Sequence, residues 1–218
     1  MIGKGKSISH GVAALEYDLA KEIDGQAAAT EIARHELYGC TGAEMVQEMK
    51  PYFTDFPNVK NNCLRFEVSP SIEESSSFTD ADWAELGNDF MQRMGLMNHQ
   101  YIIIRHSGTE SKKEQAHLHI LANRISLSGE LYRDNWIGKR ATEAANAIAK
   151  ERNFVQSQDI GKANKAEIKE AMNEVLKKLQ GFDLAKFQEE LGKLGFKVRE
   201  ARASTGKLNG YYVTARSG

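Results

Sequence analysis

The chain has 218 residues, 41% of them hydrophobic and 27% charged, with a formal net charge of −1. This length buries a full core as one domain with an appendage or as two small domains, and the composition is globular. No apolar run approaches the roughly 20 residues that cross a bilayer, and the start, MIGKGKSISHG, lacks a secretory signal's apolar stretch, so a cytoplasmic protein without a membrane partner is expected.

The near-neutral total conceals a gradient. Residues 1–109 carry 9 Lys and Arg against 16 Asp and Glu, net −7; the remainder carries 20 against 14, net +6. The basic half can draw a polyanion, with an affinity that falls as salt rises. Cys40 and Cys63 fit no metal spacing and are expected to stay thiols.

In chain order, Ile8, Val12, Leu15, Leu19 and Ile23 recur at helical intervals and predict a first helix, with Ser7 or Ser9 as its cap. Tyr17 lies about 200° around that helix from Leu15 and Leu19, on a face shared with His10, Ala13, Ala14 and Lys21. A tyrosine there is exposed unless something covers it. The stretch from Gln26 to Met49 is helix-friendly but broken near Gly39 to Gly42, and Pro51, Phe53 and Pro57 mark a loop. A strand is predicted over Cys63 to Ser69 (CLRFEVS), then a polar loop at 70–77. Thr79 or Asp80 then caps a helix running to Met94, with Gly95 as its stop.

Tyr101 to Arg105 (YIIIR) forms a β-branched strand ending at His106, and the polar stretch 107–116 is long enough for a hairpin return. From His117 to Ile125 (HLHILANRI) the pattern alternates. His117, His119, Leu121 and Asn123 therefore point one way, and Leu118, Ile120 and Ala122 the other. A helix from Asp134 to Lys150 completes a first unit. Beyond Arg152 two amphipathic helices carry the stripes Ile168, Met172, Val175, Leu179 and Leu184, Phe187, Leu191, Leu194. A terminal β-hairpin is read over 196–201 and 211–214. The end at Gly218, without cap or tail, suggests a piece of a longer protein.

The fold-back puts His106 beside His117 and His119, a set able to hold one divalent ion. Three neutral imidazoles leave open positions for substrate oxygens, which is catalytic rather than structural geometry. Imidazole suits zinc, iron, copper or nickel, whereas sites that work on phosphates often use magnesium or manganese. Such an ion binds non-bridging phosphate oxygens and offsets the charge that builds in in-line attack. Tyr17, on an open helical face beside Lys21, is a sensible nucleophile for a covalent phosphoryl intermediate.

The order KGKSISHG, LEYDLAKE around Tyr17, FEVSPS, IIIRHSGTE and HLHILANRIS resembles the relaxases of bacterial mobilization proteins, within the HUH-endonuclease superfamily, over residues 1 to about 150. The resemblance implies an α+β fold: a central antiparallel sheet of about five strands flanked by helices, to which this chain adds the C-terminal helical hairpin and small β-hairpin. It implies a catalytic domain at 1–152 and an appendage at 153–218. It further implies strand-specific nicking of single-stranded DNA at an origin of transfer, with the 5′ end kept on tyrosine, in mobilization of a plasmid or transposon. The partners that follow are origin DNA, accessory mobilization proteins and a coupling protein.

By position, the resemblance makes Tyr17 the nucleophile and His106, His117 and His119 the ligands of a divalent metal, magnesium or manganese ahead of zinc or nickel. Asn123 then orients a ligand or phosphate, Ser69 approaches DNA, and Lys4, Lys6 and Lys21 contact phosphates. One departure concerns the acid. The family commonly has an aspartate two residues after its first histidine, where this chain has Gly108 and a longer insert, SKKEQA. Counting from either side leaves Glu110 and Glu114 as alternative acidic partners or proton acceptors. Two rival readings are a rolling-circle replication initiator, which shares the chemistry, and a metal-dependent phosphoesterase acting on small nucleotides.

Overall fold

A computed structural model of the chain describes residues 1–108, 115–179, 181 and 183–214. It divides into two compact units, Met1–Ser157 and Gln158–Gly218. In the first unit the order is β1 (Ile2–Ile8), α1 (Gly11–Leu19), β2 (Glu22–Ile23), β3 (Gln26–Ala27), β4 (Ala29–His35), α2 (Gly42–Met49), a 3-10 turn (Lys50–Phe53) and β5 (Cys63–Ser69). It continues with α3 (Ile72–Ser75), α4 (Asp80–Met94), β6 (His99–His106), β7 (His117–Ser126) and α5 (Ile137–Glu151). The main sheet is wholly antiparallel, ordered β1-β5-β7-β6-β4. The fold is therefore α+β with a five-stranded antiparallel sheet, as the resemblance implies.

Residue parity decides what each face of the sheet meets. Leu64, Phe66 and Val68 of β5 and Leu118, Ile120 and Ala122 of β7 pack with Trp83, Leu86 and Phe90 of α4 and Ala141, Ala145 and Ile148 of α5. On the other face, Cys63, Ile102, Ile104 and Leu121 pack with Leu15 of α1 and Met45, Val46 and Met49 of α2. The helix boundaries follow local chemistry. Thr79 and Asp82 form a capping box at the start of α4, and Gly95 ends it at φ 73°. The alternation IGKGKSI places Gly3 and Gly5 against α5. A Cβ on Gly3 would come within 2.4 Å of the Ala141 carbonyl oxygen, so only glycine lets α5 settle there.

Three expectations are corrected in the first half of this unit. Ile8 and Ile23 lie on strands, and α1 starts at Gly11, burying Gly11, Ala14, Leu15 and Asp18. Val12 faces outward at 38% exposure. The helical spacing of the isoleucines arose from strand ends that happen to flank α1. His10 occupies the cap position without a side-chain cap bond, so neither Ser7 nor Ser9 caps the helix. The stretch 26–49 is not helical throughout. Ala29–His35 is the edge strand β4, fixed by pairing with β6, a tertiary partner that outweighs local helix propensity. The N-terminal strand β1 was likewise not foreseen.

In the second unit, α6 (Ser157–Lys178), α7 (Leu184–Lys193) and the hairpin β8 (Lys197–Arg202) and β9 (Leu208–Thr214) share a small core of Ala171, Val175, Phe187, Leu191 and Phe196. Gly206, at φ 82°, supplies the left-handed turn between the strands. Among the described residues no helix is long and apolar enough to cross a membrane.

Candidate active site at a histidine cluster

The antiparallel register of β6 and β7 pairs His106 with His117 and Ile104 with His119, so the three imidazoles share the face covered by α1 and α2. One ring nitrogen from each lies within 4.8 Å of the others. Their outer nitrogens are held by the fold. His106 Nε2 donates to the Asp18 carbonyl oxygen at 2.8 Å, and His117 Nδ1 donates to the Gln115 carbonyl at 3.0 Å. Those bonds leave a lone pair on His106 Nδ1 and on His117 Nε2, the tautomers that metal ligands need. His119 Nε2 faces His117 Nε2 at 3.1 Å. His119 Nδ1 stands between a donor, Arg65 Nη2 at 3.2 Å, and an acceptor, Asp18 Oδ1 at 3.7 Å.

Burial keeps two of the three imidazoles neutral. Desolvation, helped by the charge of His117, lowers His106 to about 4. Desolvation, then the charges of His106 and His117, lowers His119 to about 2. Lys21 adds to the field on His106 and Lys4 to that on His119. At neutral pH both imidazoles are therefore unprotonated and free to ligate. Three convergent ring nitrogens, two of them facing each other, fit a divalent cation by donor chemistry and spacing.

Among the described residues the acid at the cluster is Asp18, which the sequence reading missed. It is almost fully buried and bonded to Arg65 through both oxygens, Oδ1 from Nη2 and Oδ2 from Nε at 3.2 Å. Desolvation raises its carboxyl above the usual range while Arg65 opposes that rise. A signal was present: Asp18 continues the buried stripe of Ala14 and Leu15, and a charge on an apolar helical stripe needs a buried partner. Arg65 sits on β5 with the parity opposite to Phe66. Glu110 and Glu114, the expected acids, lie outside the described residues.

Tyr17, next to Asp18 on α1, is 59% exposed with Lys21 Nζ 5.6 Å from its ring centroid. Lys4 and Lys6 project from β1 opposite Glu67 and Arg65, and with His119 they line a groove of about 210 Å³. Lys4 is ion-paired to Glu67 at 2.8 Å. Ser69, at the end of β5, accepts from Gln115 Nε2 at 3.2 Å, beside the residue whose carbonyl holds His117. Asn123 is the exception. Fully buried, it donates to Gln100 Oε1 at 3.0 Å and accepts from the Ile125 amide at 2.9 Å. Its contacts brace the sheet rather than orient a ligand, because it lies four residues along β7 from His119, beside the Met49 carbonyl at the end of α2.

Comparison with known proteins adds the following. No curated protein matches the chain. One solved structure that is similar is described as the conjugative relaxase TrwC in complex with oriT DNA, metal-bound. It shows 12% identity and a TM-score of 0.39 over 95% of this chain and 74% of that one. The family model "Relaxase: MobA/VirD2-like, nuclease domain" matches residues 17–154, which include Tyr17 and all three clustered histidines. The chain therefore belongs to the MobA/VirD2-like relaxase family and carries its nuclease domain.

Proposed function

We propose that Tyr17 is the nucleophile of a strand-specific DNA transesterase and that His106, His117 and His119 hold its divalent cation, magnesium or manganese. The observation that carries this reading is the bond from His106 to the backbone of Asp18, which ties the helix bearing Tyr17 to the histidine cluster at the adjacent residue. The Asp18–Arg65 pair supports it by fixing the same turn of α1 against β5.

In this reading the Tyr17 phenol oxygen attacks the scissile phosphorus and the bond from phosphorus to the 3′ oxygen breaks. The phenol proton leaves, the departing oxygen gains one as a 3′-hydroxyl, and the 5′ phosphate stays on tyrosine. One phosphodiester replaces another, so its energy is kept for rejoining. The cation, when bound, supplies charge to the non-bridging oxygens. Lys21, beside the ring, holds a phosphate close to the phenol, while Lys4 and Lys6 carry the backbone along β1 without reading sequence. Glu110 or Glu114 is a candidate acceptor of the phenol proton. Residues 1–152 form the catalytic domain in this proposal, and 153–218 an appendage of a bacterial cytoplasmic protein that works with accessory mobilization proteins and a coupling protein.

The test is a denaturing gel with labelled single-stranded origin DNA and manganese. The wild-type chain forms a covalent adduct and a free 3′-hydroxyl; Tyr17→Phe binds the same DNA within about threefold but forms no adduct. An adduct that persists in Tyr17→Phe refutes the assignment.

A further inference from the structure

A second cavity, of about 670 Å³, opens between the start of α1, the end of α2 with its 3-10 turn, and the start of β5. Its walls include Val12, Ala13, Val46, Phe53 and Pro57, and neither the histidine cluster nor any Lys assigned above lines it. From the chemistry of these walls we infer that this cavity holds one nucleobase of the substrate strand, within two nucleotides of the scissile phosphate. The inference rests on the reading of Tyr17 as a nucleophile for DNA.

Three observations carry it. Ala13 precedes Tyr17 by four residues, so the two share a helix face about 6 Å apart along the axis. A strand laid against Tyr17 therefore passes the cavity mouth within a helical turn. The walls are mostly apolar, with Ser9, His10, Lys50 and Thr54 as their polar part, and the Phe53 ring with the outward-facing Val12 gives a surface on which a base can stack regardless of its identity. Asn62 also lines the cavity, and its Oδ1 is, among the described residues, a buried side-chain oxygen without a hydrogen-bond partner. A buried carbonyl oxygen left so is unfavourable, and a turn of the Asn62 carboxamide toward the cavity would let the N–H of an entering base reach it. The edge of a base brings an N–H together with an apolar face. A phosphate brings neither, and an aliphatic side chain or lipid tail brings no donor.

The test uses a strand selected from a random pool for covalent capture by the wild-type chain, resynthesised with one abasic residue at each position in turn. One abasic position within two nucleotides of the nick should weaken binding about 10-fold. Val12→Trp, which fills the cavity from an exposed position, should weaken the intact strand by a similar factor and show no further loss with that abasic strand. Asn62→Leu should shrink the abasic penalty about threefold. Neither should change the salt slope, because no phosphate contact is lost. An abasic penalty that stays full in both variants overturns the pocket, as does the absence of any penalty on a strand that still forms the adduct. Failure to capture any strand brings down the nucleophile assignment, and the pocket with it.

Discussion

The two faces of the central sheet are built from the same strands but do opposite work. On the face under α4 and α5, β5 and β7 contribute Leu64, Phe66, Val68, Leu118, Ile120 and Ala122, all buried and apolar, closed by Gly3 and Gly5 where α5 lies on β1. On the face under α1 and α2 the same strands contribute Arg65, Glu67, His117 and His119, with apolar packing only at the end where Ile102, Ile104 and Leu121 lie. One face is packed for stability. The other keeps a buried ion pair and three clustered imidazoles, two of them held unprotonated by burial, a costly arrangement that the apolar face can sustain. The lesson is that a pleat of period two lets a single strand carry a core and a reaction centre without compromise.

That contrast can be broken most sharply at His119. Replacing it with Leu should lower nicking by more than about 100-fold and abolish stabilisation by manganese, while the metal-free fold survives. A variant that keeps wild-type nicking after chelation and manganese readdition would remove His119 from the ligand set. On the opposite face Gly3→Val should do the reverse. Its Cβ meets the Ala141 backbone and the Ala145 side chain, so urea unfolding should show a loss of about 2–3 kcal/mol, with residual folded protein still taking up metal.

Acidification gives the next effect. His106 and His119 bind protons less readily folded than unfolded, so their contribution to stability is complete above about pH 6.5 and is lost as pH falls toward about 4. Asp18, raised, works with the opposite sign, and one carboxyl offsets the two imidazoles only in part. Metal-free protein should therefore lose on the order of 2 kcal/mol per imidazole between pH 6.5 and 5, read from urea midpoints, and His119→Leu should lose less. The smallest effect belongs to Lys4. With its ammonium exposed and paired to Glu67, Lys4→Ala should leave the melting temperature within about a degree. It should reduce the slope of log affinity against log salt by about 1.

The legible parts of the molecule were those whose signals are local. CLRFEVS and HLHILANRI alternate over enough residues to fix strand and parity, and Thr79 and Gly95 bracket α4 with capping chemistry that needs no tertiary partner. The histidine trio was likewise legible, since a strand pair joined by a fold-back leaves His106 little choice but to lie opposite His117. Edge strands were not. β1 and β4 carry Gly, Lys, Ala and Thr in place of a β-branched run, and they are strands because β5 and β6 offer them open hydrogen-bonding edges.

The sequence by itself determined the strand faces, the helix caps and the identity of the three imidazoles, because each is set by spacing within one segment. Only the tertiary structure brought Asp18 to them. Asp18 and Arg65 are 47 residues apart and make a pair only because α1 lies across β5. Asn123 shares its parity with His119, yet α2 rather than a ligand covers it, since parity fixes the direction of a side chain but not what the fold packs above it.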